Sequence, residues 1–312
     1  MNKTAFLFPG QGSQFVGMGQ DLYASSAEVK DLFQQGSDIS GLDLASLCFD
    51  GPMAKLTRTV NLQPAITAVN LAVFTRFQKM RIEPDLCAGH SLGEFSALCA
   101  AGFISTADLF RLVCLRGQLM DREASRTSGK MVAVIGLPID VVERELSTDP
   151  DAGIVSVANH NTENQIVITG EKDAVTAASA RFKAAGARAV PLKVSGAWHS
   201  PLMKPAESEF KAVLDGVAFR TPRCPVFLNV TGESSCEPQV VKSIMSEQLC
   251  SPVRWYDSVT AMLAAGTATF VEAGPGKVLL GLVQKCLPPE KACRFIPAGS
   301  VEAVNQAAEQ IG

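Results

Sequence analysis

The segment GHSLG at residues 89–93 has the pattern G-x-S-x-G and lies between a predicted strand and a predicted helix. A sharp turn at that junction lifts a serine hydroxyl clear of the sheet, and the glycines remove side chains that would collide there. The helix N-terminus also offers backbone N–H groups to a developing oxyanion, above all that of Leu92. We therefore predict that Ser91 is a nucleophile, with a structural serine at a helix start as the alternative.

A serine nucleophile needs a base near neutral pH, and the chain has three histidines: His90, His160 and His199. His90 lies inside the turn, which directs it away from the hydroxyl of its neighbour. His160 lies in a predicted loop, where a surface position is expected. His199 follows the strand-like PLKVSGAW and begins a loop of small residues. We predict that His199 is the base, with a hydrogen-bonded structural histidine as the alternative.

The sequence offers no obvious acid partner for this base. Most Asp and Glu residues between Ser91 and His199 fall in the middle of the chain, on predicted helix faces. A dyad oriented by a backbone carbonyl and a triad with a carboxylate therefore both stay open.

One arginine falls on the apolar face of a predicted helix at 106–122. The apolar residues of that face recur at i+3 and i+4 steps, at Leu109, Leu112, Val113 and Met120. Arg116 lies on this face, whereas Arg111 points about 140° away and is expected to be solvated. An unpaired buried guanidinium is costly, so Arg116 needs either an internal Asp or Glu or the carboxylate of a substrate. With Ser91, the second alternative describes transfer of an acyl group that carries its own carboxylate.

The glycine-rich segment GQGSQ at 10–14 follows the first predicted strand. It is not a G-x-G-x-x-G loop because residue 15 is Phe, and no Gly-Lys-Ser/Thr follows as in a P-loop. After an early strand of an α/β-hydrolase-like sheet, such a loop can supply the second N–H of an oxyanion hole. Gln11 is the natural donor, with a plain tight turn as the alternative.

The elements around these residues predict the fold class. A strand at 4–8, a helix at 62–80 and a strand at 85–89 that runs directly into a helix are typical of a parallel α/β sheet. Further strands are predicted at 224–230 and 269–274.

The middle of the chain has the order β-α-β-β-α-β, which is the ferredoxin-like pattern. We predict an α/β fold with an α/β-hydrolase-like parallel-sheet domain formed by residues 1–125 and 194–312. A ferredoxin-like (βαββαβ) subdomain at 126–193 is inserted into it.

Composition excludes several classes of protein. The 312 residues are 47% hydrophobic, which provides a substantial core, and the net charge of −3 gives no basic excess for nucleic acid or an anionic membrane. The nine cysteines include no C-x-x-C and no Cys/His cluster with zinc-ligand spacing, so we expect free thiols and no metal site. No segment is typical of a signal peptide or a membrane span. We expect a soluble, cytoplasmic monomer.

Eight motifs occur together in an order that resembles one family. They are FPGQGSQ (8–14), LQPA (62–65), AGHSLGEFSAL (88–98), LRG (115–117), ANHN (158–161), VSGAWHSPLM (194–203), QLCSPVRW (248–255) and EAGPGKVL (272–279). Over nearly its whole length the chain resembles malonyl-CoA:acyl carrier protein transacylases, including the discrete acyltransferases of polyketide synthases. Eight ordered motifs are far more specific than G-x-S-x-G alone.

The resemblance implies an S-malonyltransferase that moves a malonyl group from malonyl-CoA to the phosphopantetheine thiol of a holo-acyl carrier protein, in fatty-acid or polyketide synthesis. It implies a coenzyme A thioester as substrate and no permanently bound cofactor. Ser91 would carry the malonyl group as an ester, His199 would be the base, and Arg116 would pair with the malonyl carboxylate. Gln11 and Leu92 would form the oxyanion hole through their backbone N–H groups.

Five more residues acquire roles through the resemblance. The main-chain carbonyl of Gln248 would orient the histidine, Gln63 would line the pocket, and Asn159 and Asn161 would come from the insert side of the cleft. At Trp198 relatives often have Phe or a small residue, and in similar modular polyketide acyltransferases a bulky aromatic accompanies malonyl and a small residue methylmalonyl. The resemblance thus implies that Trp198 crowds the α-carbon of the acyl group.

Two other functions stay open. A thioesterase or esterase could use the same serine, although Arg116 and the family motifs argue against it. A catalytically idle module that docks a carrier protein is the second alternative, and Ser91, His199 and Arg116 together argue against that. The residues do not separate a fatty-acid role from a polyketide role, since the chemistry is the same.

Overall fold

The computed structural model describes residues 2–148, 153–194 and 196–311, so Ser195 of the motif VSGAWHSPLM lies outside the described residues. The strands are β1 (Lys3–Phe8), β2 (Leu86–Gly89), β3 (Gly129–Ile135), β4 (Val155–Thr162), β5 (Gln165–Glu171), β6 (Arg188–Pro191), β7 (Val226–Phe227), β8 (Ser234–Ser235), β9 (Thr267–Glu272) and β10 (Arg294–Pro297). The helices are α1 (Gln20–Ser25), α2 (Ala27–Ser40), α3 (Leu44–Phe49), α4 (Met53–Leu56), α5 (Thr59–Lys79), α6 (Gly93–Ala101), α7 (Thr106–Arg126), α8 (Ile139–Leu146), α9 (Lys172–Ala184), α10 (Lys204–Asp215), α11 (Pro238–Met245), α12 (Trp255–Ala264), α13 (Val278–Cys286) and α14 (Val301–Ile311). Among the described helices, none is both long enough and apolar enough to cross a bilayer.

Six strands form the larger sheet, in the order β10-β9-β1-β2-β7-β8. Neighbouring strands run parallel, except for the edge pair β7 and β8. β2 is buried along its whole length and β1 from Thr4 onward, as parallel strands are when helices cover both faces of a sheet. The strand predicted at 224–230 is shorter than expected, because a turn in which the Gly232 N–H donates to the Leu228 carbonyl ends it.

A second, antiparallel sheet has the order β4-β5-β3-β6 and carries α8 and α9. Its own apolar core lies between that sheet and these helices, with Val132, Ile168 and Phe182 at its centre. The order of elements is the predicted β-α-β-β-α-β, and the predicted fold class is confirmed. The domain limits at 125/126 and 193/194 stay a prediction; the four strands themselves fall between residues 129 and 191.

The expectation that His160 is a surface loop residue was wrong. Strand β4 extends to Thr162, so His160 lies within it and is buried. The strand continues this far because it has partners on both sides. It pairs with β5, and the His160 N–H donates to the carbonyl of Val253 (2.9 Å), which belongs to the segment before α12. The small sheet is thereby joined to the larger part of the molecule.

The chain turns sharply between β2 and α6. Ser91 has a φ of +52°, in the left-handed region that is unfavourable for residues with a side chain. A Cβ atom on Gly93 would overlap the carbonyl group of Phe8 at the end of β1, and one on Gly89 would overlap the backbone of Gly93. Both glycines are therefore needed for α6 to begin directly above the strands, which leaves Ser91 at the carboxyl edge of the sheet.

Gly93→Ala should lower the free energy of unfolding by about 3 kcal/mol, because the obstructing Phe8 carbonyl belongs to a central strand that cannot move aside. The matched control is Gly281→Ala in α13, where an added Cβ meets no atom within 4 Å. That change should raise the free energy of unfolding by up to about 1 kcal/mol through helix propensity. Urea unfolding followed by circular dichroism measures both, and equal midpoints for Gly93→Ala and the unmodified protein would contradict the close approach.

Candidate active site

A cavity of about 290 Å³ lies where the turn after β2 meets the small sheet. The main-sheet side contributes Gln11, Ser91, Leu92 and Arg116, and the small sheet contributes Met131, Ala133, Asn159, Asn161, Gln165 and Val167. The segment between β6 and α10 closes it with Leu192, Val194, Trp198 and His199. Three parts of the fold, built from segments distant in sequence, therefore share one concave surface.

Ser91 and His199 form a hydrogen-bonded pair within this cavity. The Oγ of Ser91 lies 2.7 Å from Nε2 of His199. Nδ1 on the other side of the ring lies 3.1 Å from the carbonyl oxygen of Gln248 and 3.0 Å from that of Ser251. Because carbonyls only accept, Nδ1 carries the proton and Nε2 presents its lone pair to the Ser91 hydroxyl. Main-chain carbonyls thus occupy the position that a carboxylate would take in a triad.

The surroundings of His199 keep its ring neutral. Burial lowers the pKa of His199 to about 3, and the positive charge of Arg116 acts in the same direction. The two carbonyl partners oppose this shift without reversing it. A neutral imidazole is the form that can accept the serine proton, so His199 is in a form suited to a base throughout the neutral range.

Arg116 projects from the buried face of α7 and is 1% exposed. Its Nε donates to Oε1 of Gln248 (3.1 Å) and its Nη2 donates to Oγ of Ser91 (3.0 Å). Both partners are neutral, so the guanidinium is not bonded to a carboxylate among the described residues. Burial lowers the pKa of Arg116 to about 10, which leaves it cationic at neutral pH. Arg111 of the same helix is exposed and pairs with Asp108, as expected.

The two expected oxyanion donors both line the cavity. The main-chain N–H groups of Gln11 and Leu92 donate to no acceptor within the described part of the chain. Gln11 is brought there by the loop after β1, which approaches the turn so closely that a Cβ on Gly10 would overlap the carbonyl of His90. Leu92 immediately precedes α6, where the first N–H groups of a helix have no internal partner.

The remaining predicted residues divide into two groups. Asn159, Asn161 and Trp198 line the cavity, and Asn161 Oδ1 lies 2.8 Å from Nε2 of His90, which holds that ring away from Ser91. Gln63 does not line the cavity, contrary to expectation. It is fully buried in α5, where its Nε2 approaches the sulfur of Met120 (3.1 Å), and Met120 itself forms the wall.

Three polar residues next to this site were not anticipated. Ser251 supplies the second carbonyl to His199, Asn229 accepts the N–H of Ser91 on Oδ1 (2.7 Å), and Glu94 bonds to Gln248. The sequence contains an indication of Glu94, because it is the only charged residue in the apolar segment LGEFSALCAAG (92–102). Ser251 lies in the motif QLCSPVRW, three residues after Gln248, but no role was predicted for it. Asn229 lies in a loop, and nothing in its spacing indicates that it approaches Ser91.

Comparison with known proteins identifies the class of enzyme. A model of the acyl transferase domain family matches residues 5–306, so this is an acyltransferase. A malonyl CoA-acyl carrier protein transacylase of Bacillus subtilis is 44% identical over 91% of this chain and 90% of its own length. One of Escherichia coli K12 is 40% identical over 91% of this chain and 93% of its own length. The chain belongs to the malonyl CoA-acyl carrier protein transacylase family, and the resemblance carried by the eight motifs is confirmed.

Solved structures agree with this assignment. An acyl carrier protein S-malonyltransferase of Vibrio cholerae superposes with a TM-score of 0.93 at 40% identity, covering 98% of this chain and all of that one. A malonyl-transacylase solved in complex with a type II polyketide synthase acyl-carrier protein gives a TM-score of 0.94 at 38% identity over 99% of this chain and all of that one.

The low pKa of His199 is directly measurable by NMR. The ring resonances of His199 should not titrate between about pH 8 and pH 5, where an ordinary histidine does. Their midpoint should lie near 3 because burial and Arg116 both disfavour the charged ring. Arg116→Gln should raise the midpoint, and His199→Gln assigns the signals. A midpoint near 6.5 in the unmodified protein would contradict the buried, neutral base.

Proposed function

We propose that this enzyme moves a malonyl group from malonyl-CoA, through an ester on Ser91, to the phosphopantetheine thiol of an acyl carrier protein in fatty-acid or polyketide synthesis. The observation that carries the proposal is the guanidinium of Arg116, which is buried beside the Ser91 hydroxyl and has no bonded carboxylate among the residues that the structure describes. A substrate whose acyl group ends in a carboxylate supplies the missing anion. The names of the relatives support the same substrate.

In the first half-reaction the Ser91 oxygen attacks the thioester carbonyl carbon as Nε2 of His199 takes the hydroxyl proton. The N–H groups of Gln11 and Leu92 stabilise the oxyanion of the tetrahedral intermediate. The carbon–sulfur bond then breaks, and His199 returns the proton to the departing coenzyme A sulfur. The products are the malonyl ester of Ser91 and free coenzyme A, with His199 neutral again.

In the second half-reaction the thiol of the carrier protein takes the place of coenzyme A. His199 accepts its proton as the sulfur attacks the ester carbonyl, and the same two N–H groups hold the oxyanion. The ester bond to Ser91 breaks, and His199 protonates the serine oxygen. The carbonyls of Gln248 and Ser251 stabilise the imidazolium in both half-reactions by accepting from Nδ1.

The ion pair between Arg116 and the malonyl carboxylate determines which acyl groups react. Because one CH₂ joins the carboxylate to the thioester carbonyl, anchoring the carboxylate on Arg116 places that carbonyl at the oxyanion hole. A neutral acyl group leaves the guanidinium without an anion and is therefore disfavoured. We further propose that the enzyme works in the cytoplasm as a monomer, without a permanently bound cofactor, a metal, nucleic acid or a membrane, and that malonyl-CoA and holo-acyl carrier protein are its two substrates.

Intact-protein mass spectrometry after brief mixing with malonyl-CoA tests the covalent step. We expect one malonyl adduct, which Ser91→Ala abolishes and holo-carrier protein removes. Release of malonate without an adduct or transfer would instead indicate a hydrolase. If neither an adduct nor turnover were observed, a catalytically idle module that docks a carrier protein would be the remaining interpretation.

Two arginines of α7 provide a matched test of the carboxylate contact. Arg116→Ala should lower kcat/KM for malonyl-CoA by about a thousandfold, because a buried charge partner is removed, while acetyl-CoA loses far less. Arg111→Ala removes an exposed arginine of the same helix and should leave both substrates unaffected. Equal losses for malonyl-CoA and acetyl-CoA in Arg116→Ala would contradict the proposed role.

Trp198 is proposed to exclude branched acyl groups. Its buried indole lines the cavity beside His199 and makes no hydrogen bond through Nε1 within the described residues, so it acts there by its volume. Trp198→Ser should raise the methylmalonyl-to-malonyl ratio of kcat/KM by about tenfold or more, the usual effect of space for one carbon. Trp198→Phe, which keeps most of the bulk, serves as the control. An unchanged ratio in the serine variant would refute this role.

A further inference from the structure

The carboxyl group of Glu94 takes no part in the reaction steps described above. It nevertheless accepts hydrogen bonds from Asn229 and Gln248, the two residues that contact Ser91 and Arg116. Glu94 is the second residue of α6 and is fully buried. Its Oε1 accepts the main-chain N–H of Asn229 (2.8 Å), and its Oε2 accepts Nε2 of Gln248 (2.7 Å). Both partners are neutral donors, so Glu94 is not half of a direct ion pair.

The amide of Gln248 can satisfy its partners in one orientation only. Its Oε1 accepts Nε of Arg116, and its Nε2 donates both to Glu94 and to the carbonyl of Ser91 (2.9 Å). Turned by 180°, the amide would present its oxygen to a carboxylate and a carbonyl, and its NH₂ to a guanidinium, so all three bonds would be lost. Glu94 therefore keeps the amide oxygen directed at Arg116.

This arrangement balances the charge of Arg116 without occupying its reactive edge. A carboxylate bonded directly to the guanidinium would compete with a substrate carboxylate for the same N–H groups. Because Gln248 lies between Glu94 and Arg116, Nε of Arg116 is bonded to the Gln248 amide, and Nη2 of Arg116 stays directed at the Ser91 oxygen. The negative charge of Glu94 still acts at this distance, since it opposes the lowering of the Arg116 pKa by burial.

The same carboxyl group supports the turn that carries the nucleophile. The side chain of Asn229 spans this turn, because Oδ1 accepts the Ser91 N–H and Nδ2 donates to the Gly89 carbonyl (2.7 Å). The main-chain N–H of Asn229 donates to Oε1 of Glu94. The nucleophile and the carboxylate-binding group are thus positioned from one shared carboxylate.

We propose that Glu94 is a positioning residue for acyl transfer, whose carboxylate aligns Gln248 with Arg116 and Asn229 with the Ser91 turn, and so favours acyl groups that carry a free carboxylate. The proposal rests on the proposed malonyl transfer, since the alignment of Arg116 matters only when a substrate carboxylate binds there. It assigns to the residue that follows the G-x-S-x-G pattern a role in substrate selection.

The alignment is strongest when Glu94 is ionised. Both partners are N–H donors, and a carboxylate accepts from them on both oxygens, whereas protonation removes the charge that strengthens these bonds and turns one oxygen into a donor. Burial raises the pKa of Glu94 to about 7, against the hydrogen bonds from Asn229 and Gln248 and the charge of Arg116. Arg116 of α7 is the charged group that acts on it. Of the other elements packed against α6, β2 and β7 contain no charged residue, Lys3 of β1 is exposed, and in α5 Arg76 is bonded to Asn305 and Lys79 is paired with Glu28. Preference for malonyl over a neutral acyl group should therefore decline as the pH falls through about 7, because the anion is the aligned form.

The test compares kcat and KM for malonyl-CoA and acetyl-CoA across the neutral pH range. In the unmodified enzyme the malonyl-to-acetyl ratio of kcat/KM should rise with pH. Glu94→Gln keeps the size of the side chain and replaces one acceptor by a donor. It should lower kcat/KM for malonyl-CoA by about a hundredfold through misplacement of Arg116 and Ser91, lower that for acetyl-CoA much less, and make the ratio independent of pH.

Glu272→Gln is the matched control. Glu272 is equally buried, but its carboxylate accepts the N–H groups of Leu279 and Leu280 at the start of α13. Its replacement should lower the melting temperature and leave the ratio and its pH dependence unchanged. If folded Glu94→Gln also kept the malonyl-to-acetyl ratio and its pH dependence unchanged, the proposal would be overturned. A pH-independent ratio in the unmodified enzyme would overturn it as well, and this measurement requires no variant. Absence of any malonyl ester on the unmodified enzyme would instead refute the proposed function.

Discussion

Arg116 is almost completely buried, yet its hydrogen-bond partners are an amide and a hydroxyl, so its positive charge is balanced only at a distance. Burial of a charge in this state is costly and persists only when the surroundings compensate for it. Here the compensation comes from the Gln248 amide and from Glu94 behind it. The guanidinium therefore keeps N–H groups free for a carboxylate, and in the proposed function the carboxylate of the substrate binds there.

The second constraint is the close approach of backbone segments at the carboxyl edge of the main sheet. Gly89 and Gly93 allow α6 to begin above β1 and β2, and Gly10 allows the loop after β1 to approach the same turn. As a result, the Gln11 and Leu92 N–H groups and the Ser91 hydroxyl converge, and the proposed oxyanion donors include no flexible side chain. Rigid backbone donors need no reorganisation when charge develops on the substrate.

The orientation of His199 also depends on main-chain groups. His199 is oriented by two main-chain carbonyls rather than by an acid. A carboxylate in that place would add a second anion close to Arg116 and compete with the substrate for it. Carbonyls fix the ring through the same hydrogen bond and carry no charge, so Arg116 remains free to pair with the carboxylate of the proposed substrate. A dyad is therefore the more compatible choice for a substrate that is itself an anion.

Much of this could be predicted from the sequence, because local signals are strong where backbone geometry is demanding. The glycines around Ser91, the strand-to-helix order and the helical spacing of Arg116 depend on neighbours along the chain. The ordered motifs also located Gln11, Gln248, Asn159 and Asn161 at the site. The sequence misplaced His160 and Gln63, because burial is decided by elements that pack from elsewhere. The partners of Arg116, the carbonyl of Ser251 and the links from Glu94 to Asn229 and Gln248 join segments up to 154 residues apart. Only the tertiary structure could decide them, since hydrogen bonds between distant loops leave no periodic trace in the chain.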